Sequence, residues 1–280
     1  MQYVLNITAE VFLLDIVSIW RCEMGIFGQF SSLKCDTKNG PMQTYRIDFP
    51  GSLPDKIKDQ IFDLLFPVAI NAFQVIPTPE MREDVYDHIF NFSGLIVVVD
   101  HNKDSGVEFP VAFRMWDLIP YGKLDTVLYL AGMCVLREYQ GIGIGGSLMR
   151  IAINIDDTQA IGDIHQFCAR KVARYVVLRT QNPRIKQMFD TAAGVVSFPN
   201  GVIVPKDVTD VASFVAGQLG DSNLDTETLV SKGVYGHSLY GYTPHSMDGS
   251  YEHLFSQVMQ SAGDAMVCVW DREKRGKNWR

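Results

Sequence analysis

The chain has 280 residues, of which 47% are hydrophobic and 20% charged, enough apolar material for a sizeable core and too much for a mostly disordered chain. Its formal charge is −7, from 25 basic and 32 acidic residues, which excludes a generic binder of phosphate backbones and leaves room for a basic substrate. The five cysteines, Cys22, Cys35, Cys134, Cys168 and Cys268, are odd in number and show no CxxC pair, which supports neither a disulfide framework nor a structural zinc site and suits a reducing cytosol.

The N-terminus starts apolar, but Glu10 and Asp15 interrupt it and no basic segment precedes it, so it does not read as a signal peptide. No window of about 18 uncharged apolar residues suggests a membrane span. Val11–Trp20 is apolar enough for either a strand or a buried helix. Thr37–Pro41 reads as a turn, and Gln43–Phe49 alternates like a strand.

A helix is predicted over Pro54–Phe73, with Ser52 as N-cap and Ile57, Ile61, Leu64, Leu65 and Val68 on one face. Pro67 is expected to kink or shorten it. A second helix is expected over Pro79–Phe90. Gly94–Asp100 and Val107–Met115 are β-rich runs around a polar linker and read as an antiparallel hairpin. Leu124–Val135 is another strand. Leu148, Ile151, Ala152 and Ile155 then form one helical stripe. Tyr175–Arg179 reads as a strand and Pro183–Ala193 as a helix ended by Gly194. Further on, Val208–Leu219 and Tyr251–Ser261 look helical, and Ala265–Trp270 looks like a last strand. Between them lies a tyrosine-rich stretch, Gly233–Pro244, read as a flexible aromatic loop packed on the surface.

The most informative segment is Met133–Leu148, in which an apolar strand runs through Arg137–Gln140 into Gly141, Gly143, Gly145 and Gly146 and then into a helix. Glycines let a backbone turn tightly and approach a ligand. The first amides of the following helix lack intrahelical partners and carry the positive end of its dipole, which makes such a turn an anion site. Gly141-x-Gly143-x-x-Gly146 fits a dinucleotide fingerprint, and Asp163 lies about twenty residues on, but four polar residues separate the glycines from the strand.

Gln140-x-x-Gly143-x-Gly145 matches the Arg/Gln-x-x-Gly-x-Gly/Ala motif of the GNAT superfamily of N-acetyltransferases. Met133–Leu136 resembles that family's fourth strand, Val176–Pro183 its fifth strand and exit, and Phe189–Gly194 the end of the next helix. The resemblance covers residues 52–205, so a core there is expected between an N-terminal extension, 1–51, and a C-terminal one, 206–280, both packed on it.

The resemblance implies an α/β (α+β) fold with a mixed, mostly antiparallel sheet splayed between strands four and five and flanked by helices. It implies acetyl-CoA as cosubstrate, with the pantetheine arm along Met133, Cys134 and Val135, the pyrophosphate on the backbone N–H groups of Ile142, Gly143, Ile144, Gly145, Gly146 and Ser147, and Gln140 and Gly141 as further cofactor-binding residues. Asn182 would contact the arm. Alternatively it is only an Asn-Pro turn.

An amine acceptor attacks the thioester directly, so the implied chemistry needs a base and a group to protonate the thiolate. Asp125 and Glu138 are candidate bases, and Tyr129 is a candidate on the acceptor side. The family's usual tyrosine is replaced by Phe189, with Tyr175 and the tyrosines at 235–242 as substitutes. Cys134 could be acetylated covalently or be a small strand residue. The six histidines show no metal spacing, and no metal is expected.

The expected function is N-acetyl transfer to a small, cationic amine in the cytoplasm, without nucleic acid or membrane, and with a homodimer left open. An acyl-CoA-binding sensor and a nucleotide-dependent oxidoreductase are the alternatives.

Overall fold

A computed structural model describes residues 26–102, 107–123, 125–157 and 172–274. Val11–Trp20, Asp163, His165, Cys22 and Cys168 lie outside them. The described strands form one mixed sheet of nine, in the order β1-β2-β3-β4-β5-β6-β9-β8-β7. β1 (Ser31–Thr37) and β2 (Gly40–Asp48) are an antiparallel hairpin, with the expected turn at its tip. Two helices follow, α1 (Asp55–Phe73) and α2 (Pro79–Phe90), then β3 (Gly94–Asn102), β4 (Val107–Tyr121) and β5 (Asp125–Val135), each antiparallel to the strand before it.

α3 (Ile144–Ala152) leads towards β6 (Tyr175–Thr180), which pairs parallel with β5. Then come α4 (Pro183–Ala193), α5 (Lys206–Gln218), the two-residue strands β7 (Leu224–Asp225) and β8 (Val230–Ser231), α6 (Gly249–Val258) and β9 (Ala265–Asp271). β9 lies antiparallel to β6. Strands from before residue 52 and after residue 205 therefore belong to the same sheet as those between. The two strands likened in the sequence to a fourth and a fifth are β5 and β6.

The helix starts follow local chemistry. Thr78 and Asn182 cap α2 and α4 by accepting from Met81 N and Arg184 N, each with proline at the next position. Ser52 does not cap α1: its hydroxyl donates to the Phe49 carbonyl in a short 3-10 turn, and Pro54 takes the cap position. Pro67 does not shorten α1, which runs on to Phe73. Ile155 falls beyond α3, in the short 3-10 turn Ile155–Asp157, and is still buried.

Two faces of the sheet matter for the site. Arg114, Met133 and Leu130 face α3 and α4. Met133 and Met188 of α4 both meet the first turn of α3 at Gly145, where a β-carbon would lie 3.5 and 3.2 Å from their side chains. Tyr129 and Cys134 face the other side, towards α1 and the segment after α2. Tyr129 meets Phe92 there, ring centroids 6.0 Å apart. The change of phase within β5 comes from a bulge: Arg114 pairs with Met133 and Trp116 with Leu130, so Ala131 and Gly132 stand opposite Met115 alone.

α4 is tied down by a buried network. Lys186 Nζ lies 2.9 Å from Asp190 Oδ2 and 3.0 Å from both Ser197 oxygens, and Tyr251 of α6 donates to Asp190 at 3.1 Å. No described helix is long and apolar enough to cross a membrane.

Candidate functional site

β5 and β6 pair only at Val127–Leu130 against Tyr175–Leu178. Beyond Leu130 the strands part, and β5 continues for five residues with β4 alone beside it. Ala131–Val135 thus presents a backbone edge to the opening. At its end, a 3-10 turn, Arg137–Tyr139, delivers the chain to the glycines. The Gln140 side chain does not face outward for a ligand: its Nε2 donates to Val135 O at 3.1 Å and braces the turn.

Gly143 is the N-cap of α3 at φ 105°, a conformation an L-residue adopts only under strain. It aims the first amides of α3 away from the strand. The amides of Ile144, Gly145 and Gly146 have no intrahelical carbonyl by helix geometry. Ser147 N is satisfied by Gly143 O at 3.0 Å, so its backbone does not belong with the free amides predicted for it. The Ser147 hydroxyl instead accepts from Asp36 N at 3.1 Å.

That bond belongs to a contact that no local pattern announced. The β1–β2 tip lies on the loop: Lys38 N donates to Ile142 O at 2.8 Å, and Lys38 Nζ donates to Gly141 O at 2.9 Å. The loop's carbonyls are thereby held on the hairpin side. Lys38 adds a cation beside the amides, and Arg150 comes to Gly146 from the next turn of α3.

The opposite arm of the opening is Arg179–Asn182. The Asn182 amide oxygen caps α4 at Arg184 N, 2.9 Å away, and so is engaged as the Asn-Pro reading expected. Its side chain lies beside the Tyr240 hydroxyl. Tyr240 also neighbours Cys134 and meets Phe73 at a tilt and Tyr242 edge-on, each at 5.4 Å. Tyr240 therefore spans the mouth of the splay, with the end of β5 on one side and the end of β6 on the other. Burial pushes its phenol well above the usual tyrosine range.

The segment carrying Tyr240 is anchored rather than flexible. Gly241 N donates to Phe73 O at 2.9 Å, Leu239 N to Gln181 Oε1 at 2.8 Å, and Tyr235 N to Gly263 O at 3.1 Å. Gly241 sits so close to the Gln74 carbonyl that any side chain would collide with it.

The other predicted residues scatter. Asp125 stands at the far end of β5, about 26 Å along the strand from Met133, in an ion cluster with Arg174, 4.0 Å away. It is not placed to serve as base. Tyr175 lies at the far end of β6, edge-on to Tyr121, and is likewise remote from the mouth. Glu138 is exposed on the 3-10 turn. Phe189 is fully buried and carries no polar group. Cys134 is buried, and desolvation pushes its thiol up to about 12, which removes the thiolate that a covalent route would need.

Tyr129 is buried with its pKa raised by desolvation, and its charged neighbours include Arg179 and Tyr235. Asp117, its cross-strand partner, is engaged by Ser93 and by Leu118 N. Among the described residues, no group of three histidine, cysteine or carboxylate side chains could hold a metal.

No protein-family model matches the sequence, and no curated protein matches it. Solved structures do resemble it. Arabidopsis thaliana Naa50 in complex with a bisubstrate analogue is 14% identical, with 81% of this chain and 97% of that one covered, at a TM-score of 0.34. Diaminobutyrate acetyltransferase EctA from Paenibacillus lautus is 11% identical, with 55% and 76% covered, at 0.33. A GCN5-related N-acetyltransferase from Kribbella flavida is 19% identical, with 51% of this chain but only 31% of that one covered, at 0.35. At such scores these likenesses decide neither fold nor chemistry, which rest on the sheet and the loop.

Proposed function

We propose that the chain is an acetyl-CoA-dependent N-acetyltransferase of the GNAT type, acting on an amine in a ternary complex. The observation that carries this reading is the meeting of two features at one place. The edge of β5 opens at Leu130, where β6 leaves it, and the glycine turn at the N-terminus of α3 begins where that edge ends. A long ligand with a diphosphate and an amide-bearing arm fits both, the diphosphate on the amides near Gly143 to Gly146 and the arm along Met133 to Val135.

The splay lets the thioester reach the face of Tyr129 and Cys134 from the face of Met133. The amine nitrogen then forms a bond to the carbonyl carbon and gives up a proton to solvent, the C–S bond breaks, and the thiolate leaves. Tyr240 stands at that mouth beside Asn182, and its hydroxyl carries a proton that can turn to the departing sulfur. It takes the part for which Phe189 has no group. The oxidoreductase reading is disfavoured because the glycines follow a turn rather than the strand itself.

The test is a calorimetric titration with coenzyme A followed by thiol release from acetyl-CoA with a panel of amines. Stoichiometric binding and amine-dependent release support the proposal. Binding without release from any amine would favour the sensor, and NAD binding without coenzyme A binding the oxidoreductase.

A further inference from the structure

Arg179 is the third residue of β6 to face the acceptor side, after Tyr175 and Val177, since Val177 pairs with Tyr129 and alternate residues share a face. It follows directly on Leu178, the last β6 residue paired with β5, and so stands where the splay begins. Its guanidinium stacks on the Tyr235 ring at 5.0 Å, and Nε donates to the Tyr235 hydroxyl at 3.2 Å. Tyr129 and Asp221 act on it through space, and it acts in turn on His88 of α2. Nη1 is buried without a hydrogen-bond partner.

Among the described residues Arg179 forms no ion pair, whereas Arg174 and Arg272 do. Arg174 lies 3.0 Å from Asp271 and 3.2 Å from Glu273, and Arg272 lies 2.7 Å from Asp156. A desolvated cation without an anion is costly and asks for one from outside. Arg114 is also unpaired, but it is fully enclosed on the cofactor face against Met133. Arg179 differs in lying beside the opening, on the side from which the amine must come.

Resting on the reading above, we propose that the acceptor carries a carboxylate beside its amine, as an amino acid does, and that Arg179 holds it. A planar guanidinium offers a carboxylate two parallel N–H donors, a geometry that an amine acceptor without an acid group leaves unused. The overall charge of −7 pointed to a cationic acceptor. Arg179 places a positive charge at the splay itself.

The experiment compares amino acids with their decarboxylated counterparts, L-phenylalanine with phenethylamine and L-lysine with cadaverine, by thiol release from acetyl-CoA. In parallel, the CoA-loaded protein is titrated with N-acetyl-L-phenylalanine and with N-acetylphenethylamine. The acids are expected to exceed the amines by about 10- to 100-fold in kcat/KM or in affinity. Arg179→Gln should erase that ratio chiefly through KM, with coenzyme A affinity unchanged, and Arg179→Lys should restore part of it. Equal or better use of the amines by the unmodified protein overturns the proposal, as does failure to bind or acetylate any carboxylate-bearing amine while coenzyme A binds. An unchanged ratio in a folded Arg179→Gln protein overturns it too. Absence of coenzyme A binding would instead overturn the transferase reading, and the acceptor with it.

Discussion

The Tyr240 hydroxyl lies beside the Asn182 side chain, joining the end of β6 to a loop that is anchored on α1. The contact holds the phenol at the splay, where its proton can be given to the sulfur. Tyr240→Phe should therefore lower kcat by about 100-fold while leaving coenzyme A affinity intact. Steady-state thiol release and calorimetry measure the two quantities. A variant with full turnover would show that solvent protonates the sulfur.

At Gly143 the backbone angle itself makes a prediction. With φ at 105°, an L-residue there costs about 1 kcal/mol or more in stability. Gly143→Asp adds a negative charge at the proposed diphosphate and should weaken coenzyme A binding at least about tenfold. Circular dichroism checks the fold and calorimetry the affinity. Undiminished binding in a folded variant would remove the loop from the site.

The buried pair in α4 predicts a stability effect away from the chemistry. Lys186→Met leaves Asp190 buried with only neutral partners and should destabilise by about 3–5 kcal/mol. The double variant Lys186→Met, Asp190→Asn should recover part of that loss. Denaturant unfolding of the three proteins measures the coupling.

Asp264 supplies a pH dependence. Burial pushes its carboxyl up, but the N–H groups of Gly233, Gln260 and Ser261, with the Ser261 hydroxyl, outweigh burial and hold it at about 2. Its folded pKa is thus below the unfolded value of 3.8. The stability it contributes is complete above the unfolded pKa and is lost as pH falls through the folded one. Asp264→Asn should be less stable than the parent at pH 6, and the gap in Tm should narrow between pH 4 and pH 2. A gap independent of pH would show that the charge plays no part.

What could be read in the sequence was local. The glycine turn, the α4 start at Asn182-Pro183 and the α2 start at Thr78-Pro79 each lie within a few residues of the groups that cause them. The splay could be expected only through family resemblance, because strand separation leaves no mark on β5 or β6 alone. β1 escaped notice since Ser31–Thr37 has one buried residue, Cys35, and no apolar alternation to announce it. Ser52 misled because a nearby carbonyl, Phe49 O, competed for its hydroxyl. Tyr240 and Arg179 were beyond local reading for another reason. The partner of Tyr240 comes from a distant part of the chain, and the face on which Arg179 lies is fixed by the register of Val177 on Tyr129.

The β1–β2 tip on the glycine turn has a consequence for how a ligand is received. With Lys38 grasping the carbonyls of Gly141 and Ile142, the peptide planes of the turn are already oriented before anything arrives. An incoming anion meets a finished cradle and forfeits little of its binding to immobilising the chain. Cutting the hairpin away would transfer that task of freezing the backbone to the guest, so residency would shorten even though every atom touching the guest remained.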